Sequence, residues 1–328
     1  MKELTYVRAT SAAEAVAAVT ADPHARYLGG GTNLVDHLKL GIASPEVLVD
    51  VSRLPLDAVE ETERGLRIGA AVRNSDLAAH PLVRTDFPAL SRALLSGASG
   101  QIRNQATTAG NLLQRTRCVY FQDASTPCNK REPGSGCSAL EGYGRYNAVL
   151  GASESCVTTH PSDMAVAMSA LDADVVVLGP DGERRVALDD LHRLPGAHPE
   201  RDTTLAHGEL ITAVELTRSP ATRTSTYEKA RDRASYAFAL VSVAVALDVV
   251  DGEVADVRIA WGGVAHKPWR ARTAESLLRG GGLDEQRVRD AVAEELRASE
   301  TGPDTAFKVP MLIGITARAV LRLAGATR

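Results

Sequence analysis

The sequence is poor in aromatic residues, has no long hydrophobic run and carries no excess of positive charge. Aromatic side chains make up 4% of the residues, and 37 Lys and Arg stand against 41 Asp and Glu, for a net charge of −4. No polybasic block or aromatic-plus-basic stripe is present, which argues against nucleic-acid binding. No run approaches the roughly 18 uninterrupted apolar residues of a spanning helix, so the sequence predicts no membrane insertion.

Cysteine is scarce as well, and its placement is uneven. The chain of 328 residues has four cysteines, all between positions 118 and 156. The N-terminal residues show an amphipathic helix pattern and lack the apolar core of a signal peptide, so the default expectation is the cytoplasm. Periplasmic location, or export together with a signal-bearing partner, is the alternative. Stable disulfides are uncommon in a reducing compartment, which favours another role for the thiols.

The chain is long enough for two or three domains. Composition shifts predict a first domain over 1–221, made of subdomains at about 1–60 and 61–221, and a second domain over 222–328. Ser11 is a candidate N-cap for the first helix. Further elements are predicted: a helix over 74–83, hairpin turns at 179–182 and 251–252, and helices over 271–279, 285–299 and 308–324.

Two turns rich in small residues are candidate anion sites. The stretch "LGGGTNL" (Leu28 to Leu34) lies between a predicted strand and a helix, and "TTAGNL" (Thr107 to Leu112) precedes another short helix. Glycine lets a main chain approach a phosphate closely, and the N–H groups at a helix start attract anions. Neither turn matches the dinucleotide fingerprint or the P-loop, and a plain sharp turn is the competing interpretation. Together, the two turns could hold a long ligand with two phosphates.

The chain resembles the FAD-binding subunit of the xanthine dehydrogenase and aldehyde oxidase family of molybdenum hydroxylases. The motifs that carry the resemblance span nearly the whole chain: "LGGGTNL", "IRNQATTAGNL", "PSDMAVAMSALDADV", "GELITAVEL", "YEKARDRASYAFALVSVAVAL" and "RIAWGGVAHKPWRARTAE". The resemblance implies an α+β protein. Its two-lobed FAD-binding domain would be of the vanillyl-alcohol oxidase and para-cresol methylhydroxylase type. A smaller C-terminal α+β domain, an antiparallel sheet with helices, would follow.

The resemblance also implies roles for individual residues. The first turn would wrap the FAD pyrophosphate, the second would supply another clasp, and an aspartate, an isoleucine and a lysine would approach the flavin or its hydroxyl groups. The residues are Leu28, Gly29, Gly30, Gly31, Thr32, Asn33, Leu34, Thr108, Gly110, Asn111, Asp163, Ile211 and Lys229. A lysine near the isoalloxazine would stabilise the anionic reduced flavin. The turn contains no histidine, so FAD is expected to be bound non-covalently.

The four cysteines leave several possibilities open. Nine, eight and eighteen residues separate Cys118, Cys128, Cys137 and Cys156, so the closely spaced cysteine pairs of structural zinc sites are absent. A 4Fe–4S cluster also takes four thiolates and tolerates wide spacing on loops. Nearby Arg115, Arg117, Lys130, Arg131 and Arg145 could offset the cluster's negative charge. Zinc, disulfides and inert thiols remain alternatives.

The segment "PCNKREPGSGC" resembles one branch of the family, the FAD subunit of bacterial periplasmic-type aldehyde oxidoreductases. In that branch the FAD subunit binds an additional 4Fe–4S cluster, which implies that all four cysteines are ligands on a loop at about 115–160.

The function implied by the resemblance is electron transfer within a three-subunit enzyme. The partners would be a large molybdenum-cofactor subunit and a small subunit with 2Fe–2S clusters, as a heterotrimer or its dimer. Electrons would pass through FAD to an external electron acceptor. The alternatives are a stand-alone FAD-dependent reductase of the enolpyruvyl-sugar-nucleotide type and a zinc-stapled binding module. The sequence does not specify the substrate or the terminal acceptor.

Overall fold

A computed structural model describes residues 3–326, so residues 1–2 of the first predicted domain and residues 327–328 of the second lie outside this range. The N-terminal unit contains β1 (Thr5–Arg8), α1 (Ala12–Thr20), β2 (Ala25–Leu28), α2 (Leu34–Leu40) and β3 (Val47–Asp50). Its strands form a parallel sheet in the order β1-β3-β2. Ser11 caps α1 as predicted, because its hydroxyl accepts the N–H of Glu14. Gly41 ends α2 in the left-handed conformation with φ 72°.

The second unit is built on a five-stranded sheet in the order β4-β5-β8-β6-β7, with neighbouring strands antiparallel. Its strands are β4 (Val59–Glu61), β5 (Gly65–Gly69), β6 (Asp174–Gly179), β7 (Gly182–Ala187) and β8 (Leu210–Thr217). Its helices are α3 (Asn74–Ala79), α4 (Pro81–Asp86), α5 (Pro88–Ser96), α6 (Gly100–Arg103), α7 (Thr108–Leu112), α8 (Val119–Gln122), α9 (Asp163–Ala170) and α10 (Leu188–Leu191). The predicted hairpin between Gly179 and Gly182 is confirmed.

The single helix predicted over 74–83 is wrong. The segment forms α3 and α4, which are separated at His80, where ψ is 128°. The physical reason is Pro81, because a proline ring disfavours the helical conformation for the residue before it. Pro81 itself occupies the first turn of α4, a position that needs no N–H donor.

The C-terminal unit is a four-stranded antiparallel sheet, ordered β12-β11-β10-β9, packed against helices. It contains α11 (Pro220–Arg223), β9 (Ser225–Ala230), β10 (Val241–Val250), β11 (Glu253–Gly262), β12 (Trp269–Arg270), α12 (Arg272–Leu278), α13 (Glu285–Glu295) and α14 (Lys308–Ala326). The hairpin turn at Asp251 and Gly252 is confirmed, with φ of 52° and 84°. The helix predicted over 285–299 is shorter, because its last turn, Leu296–Ala298, is a 3-10 helix.

Helix α9 joins the second unit to the C-terminal sheet. All eight of its residues are buried, from Asp163 to Ala170. A Cβ atom on Gly262 of β11 would come within 2.6 Å of Val166 Cγ2, so glycine is what allows the strand to approach the helix. Ala244 and Ala260 of the C-terminal sheet belong to the same core cluster as Met164. Helix α9 is therefore buried between both units.

The longest helix, α14, has 19 residues and lies on the C-terminal sheet. Leu312, Val320 and other buried apolar residues of α14 join the core of that unit. Over residues 3–326, no helix combines the length and apolar character needed to cross a bilayer.

Candidate functional site

A large cavity of about 550 Å³ lies between the N-terminal unit and the second unit. One side is the loop from β2 into α2, and the other is formed by α7, the start of β8 and the residues after β5. Eight of the residues singled out from the sequence line it: Gly29, Gly30, Gly31, Thr32, Asn33, Leu34, Gly110 and Ile211. The other five, Leu28, Thr108, Asn111, Asp163 and Lys229, do not line this cavity.

The glycine turn at 29–31 has a conformation that other residues would not allow. Gly31 has φ +75°, the left-handed region, and a Cβ atom on Gly30 would lie 2.1 Å from the Gln105 carbonyl oxygen. The main-chain N–H groups of residues 29–33 donate no hydrogen bond to any described residue. The loop thus presents a series of free donors beside the start of α2, which suits an anionic ligand.

The main-chain N–H groups of the second turn differ from those of the glycine turn, because they donate hydrogen bonds within the protein. The N–H groups of Thr108 and Ala109 donate to the carbonyls of Val72 and Ala70, and those of Gly110 and Asn111 donate to Thr107. Thr107 is the N-cap of α7 and lines the large cavity. The turn's amides therefore have partners already. From the sequence, Thr107 was included in this turn but assigned no binding role, although a threonine before a short helix is an N-cap signal.

Asp163 and Lys229 form a buried ion pair at the start of α9. Lys229 Nζ lies 2.7 Å from Asp163 Oδ2 and donates to the Ser96 carbonyl at 3.2 Å. The hydroxyl of Tyr227 donates to Asp163 Oδ1. Burial, and then the Asp163 charge, raise the pKa of Tyr227 well above its usual range. The pair is linked to the second turn because the Ser162 hydroxyl donates to Asn111 Oδ1 at 2.6 Å.

The four cysteines line one small cavity, called here the cysteine cavity, although up to 38 positions separate them in the chain. Cys128 and Cys137 face each other in an antiparallel bridge, and none of the four is in a disulfide. Cys128 and Cys156 are buried, and Cys118 and Cys137 are half-buried. Within residues 3–326, no group of three or more His, Cys, Asp or Glu residues is placed to hold a single metal ion.

Hydrogen bonds and burial shift the pKa values of the thiols in different directions. A hydrogen bond from the Cys156 thiol lowers the pKa of Cys137 to about 6, and the N–H groups of Ala139 and Val157 act in the same direction against burial. The same bond, with burial, raises the pKa of Cys156. Burial raises the pKa of Cys118, and the N–H groups of Phe121 and Tyr120 in α8 oppose this rise. The cavity wall is therefore already equipped with donors for thiolate sulfur.

The two cavities share a wall. The Phe121 ring lines the cysteine cavity and contacts edge-to-face the ring of His37, which lines the large cavity, with 5.6 Å between centroids. The main-chain N–H of Arg115 donates to Asn33 Oδ1 at 3.0 Å, and the Arg115 guanidinium lies 4.7 Å from the centre of the Phe121 ring. Arg115 and His37 were not among the expected binding residues, because their place in the wall depends on tertiary contacts.

The lowered pKa values of two buried histidines indicate that the folded protein loses stability in acid. Burial, followed by the charges of Arg115 and Arg117, lowers the pKa of His37 to about 4, and burial with the Lys130 charge lowers that of His266 to about 3. In the unfolded chain these two histidines take up protons near pH 6.5, whereas in the folded chain they stay neutral at that pH. Their contribution to stability is therefore complete above pH 6.5 and is lost as the pH falls towards 4 for His37 and towards 3 for His266.

We expect the free energy of unfolding to fall by about 1.4 kcal/mol per pH unit for each of the two histidines in this window. Urea unfolding at several pH values between 7.5 and 4.5 measures it, and His37→Gln should make the decline shallower. A stability independent of pH across this window would contradict the assignment.

The fold has two lobes, with a glycine turn beside the large cavity between them, and a sheet-and-helix unit follows. This arrangement indicates a flavoprotein that binds a nucleotide cofactor. Residues 2–218 match the model of the FAD binding domain in molybdopterin dehydrogenase, and residues 225–321 match the CO dehydrogenase flavoprotein C-terminal domain. The chain belongs to the family of FAD-binding subunits of molybdopterin-dependent dehydrogenases. The resemblance and fold class expected from the sequence are confirmed, and the enolpyruvyl-reductase alternative is not favoured.

Individual relatives agree with this family. The chain is 56% identical to the aldehyde oxidoreductase FAD-binding subunit PaoB of Escherichia coli (strain K12), over 86% of this chain and 87% of that protein. It is 28% identical to the glyceraldehyde dehydrogenase medium chain of Sulfolobus acidocaldarius, over 89% and 86% of the two chains. The structure of reconstituted CO dehydrogenase from Oligotropha carboxidovorans superposes with a TM-score of 0.76 at 26% identity, covering 98% of each chain.

Proposed function

We propose that this chain is the FAD-binding subunit of a three-subunit molybdenum hydroxylase that oxidises an aldehyde. The observation that carries the proposal is the row of free N–H groups at 29–33 in a cavity of about 550 Å³. The similarity to an aldehyde oxidoreductase subunit supports the aldehyde as substrate class. The large molybdenum-cofactor subunit would oxidise the aldehyde, and a small 2Fe–2S subunit would carry electrons to this chain.

The residues of this chain would act by binding and by charge. The amides of 29–33 would donate to the pyrophosphate, and Ile211 would pack against the cofactor from the opposite wall. Lys229 would keep a positive charge near the start of α9, where Asp163 holds it. When bound, FAD supplies a centre that can accept electrons singly and release them in pairs to an external acceptor.

The binding proposal is tested by cofactor analysis of the purified protein. Acid denaturation should release about one FAD per chain into solution, because non-covalent binding is proposed. Flavin that stays with the precipitated protein would show a covalent link, and a preparation with no flavin at all would overturn the proposal.

We further propose that the cysteine cavity holds a 4Fe–4S cluster. All four thiols of the chain reach one cavity, yet no three ligating groups within residues 3–326 are placed for one ion. A cluster takes one thiolate at each of four iron atoms, so its ligands lie farther apart than those of a single zinc. The N–H donors to Cys118, Cys137 and Cys156 fit thiolate ligands. The residues present therefore suit the cluster better than zinc.

Metal and sulfide analysis after anaerobic purification separates the alternatives. The cluster requires about four iron atoms and four sulfide ions per chain, with an EPR signal after reduction. One zinc without sulfide would favour the zinc site, and protein without metal would favour inert thiols. Either result would overturn the cluster and leave the FAD proposal intact.

A further inference from the structure

Lys130 is a buried cation in the wall of the cysteine cavity. Its side chain is 1% exposed, and Nζ lies 2.5 Å from Asp202 Oδ1 and 2.6 Å from the Pro199 carbonyl. Nζ also lies 3.0 Å from His266 Nε2. Because His266 Nδ1 is 3.0 Å from the Thr158 carbonyl and must donate to it, we assign Nε2 as the acceptor for Lys130. Lys130 is therefore held as an ammonium ion by three acceptors.

Asp202 joins this cation to a second one. Its Oδ2 accepts from Arg115 Nε at 2.6 Å, while Oδ1 accepts from Lys130. Burial alone would raise the pKa of Asp202, but the two cations lower it to about 2. Two cations against one carboxylate leave a net charge of +1. We call this set the Lys130–Asp202–Arg115 network.

The network reaches from one cavity to the other. Lys130 lines the cysteine cavity, and Arg115 lines the large cavity, where its main-chain N–H donates to the Asn33 side chain of the glycine turn. The other cations expected near the cysteines are placed differently: Arg131 donates to the carbonyls of Tyr120 and Phe121. Arg145 forms a partly exposed pair with Asp232. Of the five cations expected near the cysteines, Lys130 is thus the one that lines the cysteine cavity.

We propose that the Lys130–Asp202–Arg115 network sets the reduction potential of the cluster in the cysteine cavity, with Lys130 as the potential-raising residue. The inference rests on the proposed cluster. Four thiolates give such a cluster a net negative charge, and one-electron reduction adds another, so a fixed buried cation favours the reduced form. Burial limits screening by water and salt, which makes the effect larger than that of a surface lysine.

The test is an anaerobic redox titration of the full assembled complex, followed by EPR of the reduced cluster. Lys130→Gln removes the charge and keeps a hydrogen-bond donor. We expect its midpoint potential to fall by at least about 59 mV, equivalent to a tenfold change in the one-electron equilibrium. Lys130→Arg should stay close to the wild type. Arg297→Gln, which removes a cation that is 77% exposed, is the matched control and should leave the potential unchanged.

Asp202→Asn removes the negative member of the network and should shift the potential in the opposite direction. If the Lys130→Gln protein does not retain its cluster, the midpoint potential of the Asp202→Asn protein provides the test instead. An unchanged potential in a Lys130→Gln protein with full iron content, or in Asp202→Asn, would overturn the inference while the cluster itself stands. Wild-type protein without iron would overturn both, and the metal analysis identifies that failure separately.

Discussion

Replacing Cys156 with alanine should empty the cysteine cavity of iron while FAD stays bound. Cys156 is 5% exposed, and its thiol donates the hydrogen bond that lowers the pKa of Cys137. Its removal takes away one of four proposed ligands and also weakens the thiolate character of a second. We expect iron and sulfide to fall to below about a tenth of the wild-type content, since such clusters depend on complete thiolate ligation.

Iron, sulfide and flavin content of the same preparation measure this effect. Ser138→Ala is the matched control, because Ser138 lines the same cavity and its hydroxyl only donates to the Pro127 carbonyl at 3.0 Å. The control should keep both cofactors. Full iron content in the Cys156→Ala protein would show that the cysteine cavity is not the site of the cluster.

The second large effect is expected from Gly30→Ala, which should weaken FAD binding by up to about a hundredfold. The new Cβ would lie 2.1 Å from the Gln105 carbonyl oxygen and 3.2 Å from Ala106 Cα, and these are main-chain atoms that cannot rotate away. The turn must therefore move, and its N–H groups move with it. Overpacking of this kind costs about 1–3 kcal/mol, which corresponds to a loss in affinity of up to about a hundredfold.

Flavin fluorescence titration of the apoprotein measures the dissociation constant. Gly100→Ala is the control, because a Cβ there meets no atom within 4 Å and Gly100 lies within α6. We expect the control to bind like the wild type. A wild-type dissociation constant for Gly30→Ala would exclude close main-chain contact as the basis of binding.

Local signals predicted much of the fold. Ser11 as a helix cap and the hairpin turns at 179–182 and 251–252 depend on neighbouring residues, and all three are present. The break at Pro81 was predictable by the same kind of argument, since a proline restricts the residue before it. The prediction of one helix over 74–83 failed because the apolar pattern continues across Pro81 and hides the break.

The candidate site was predictable only in part. The glycine turn is a local feature, and the structure places it in the large cavity. Asp163 and Lys229 are 66 positions apart and meet each other, but neither lines that cavity, and their role toward FAD stays a prediction. Spacing along the chain also grouped five cations near the cysteines, whereas burial singles out Lys130. Such contacts depend on tertiary packing, which no periodic pattern encodes.

The most direct measurement of the central claim is anaerobic addition of an aldehyde to the assembled complex, followed by absorbance at the oxidised-flavin band. If this chain receives electrons from the substrate-oxidising partner, the band should bleach and recover when an external acceptor is added. A variant that binds FAD more weakly, such as Gly30→Ala, should show less bleaching after unbound flavin has been removed. Oxidation of the aldehyde by the wild-type complex with a flavin band that stays unchanged would contradict the claim.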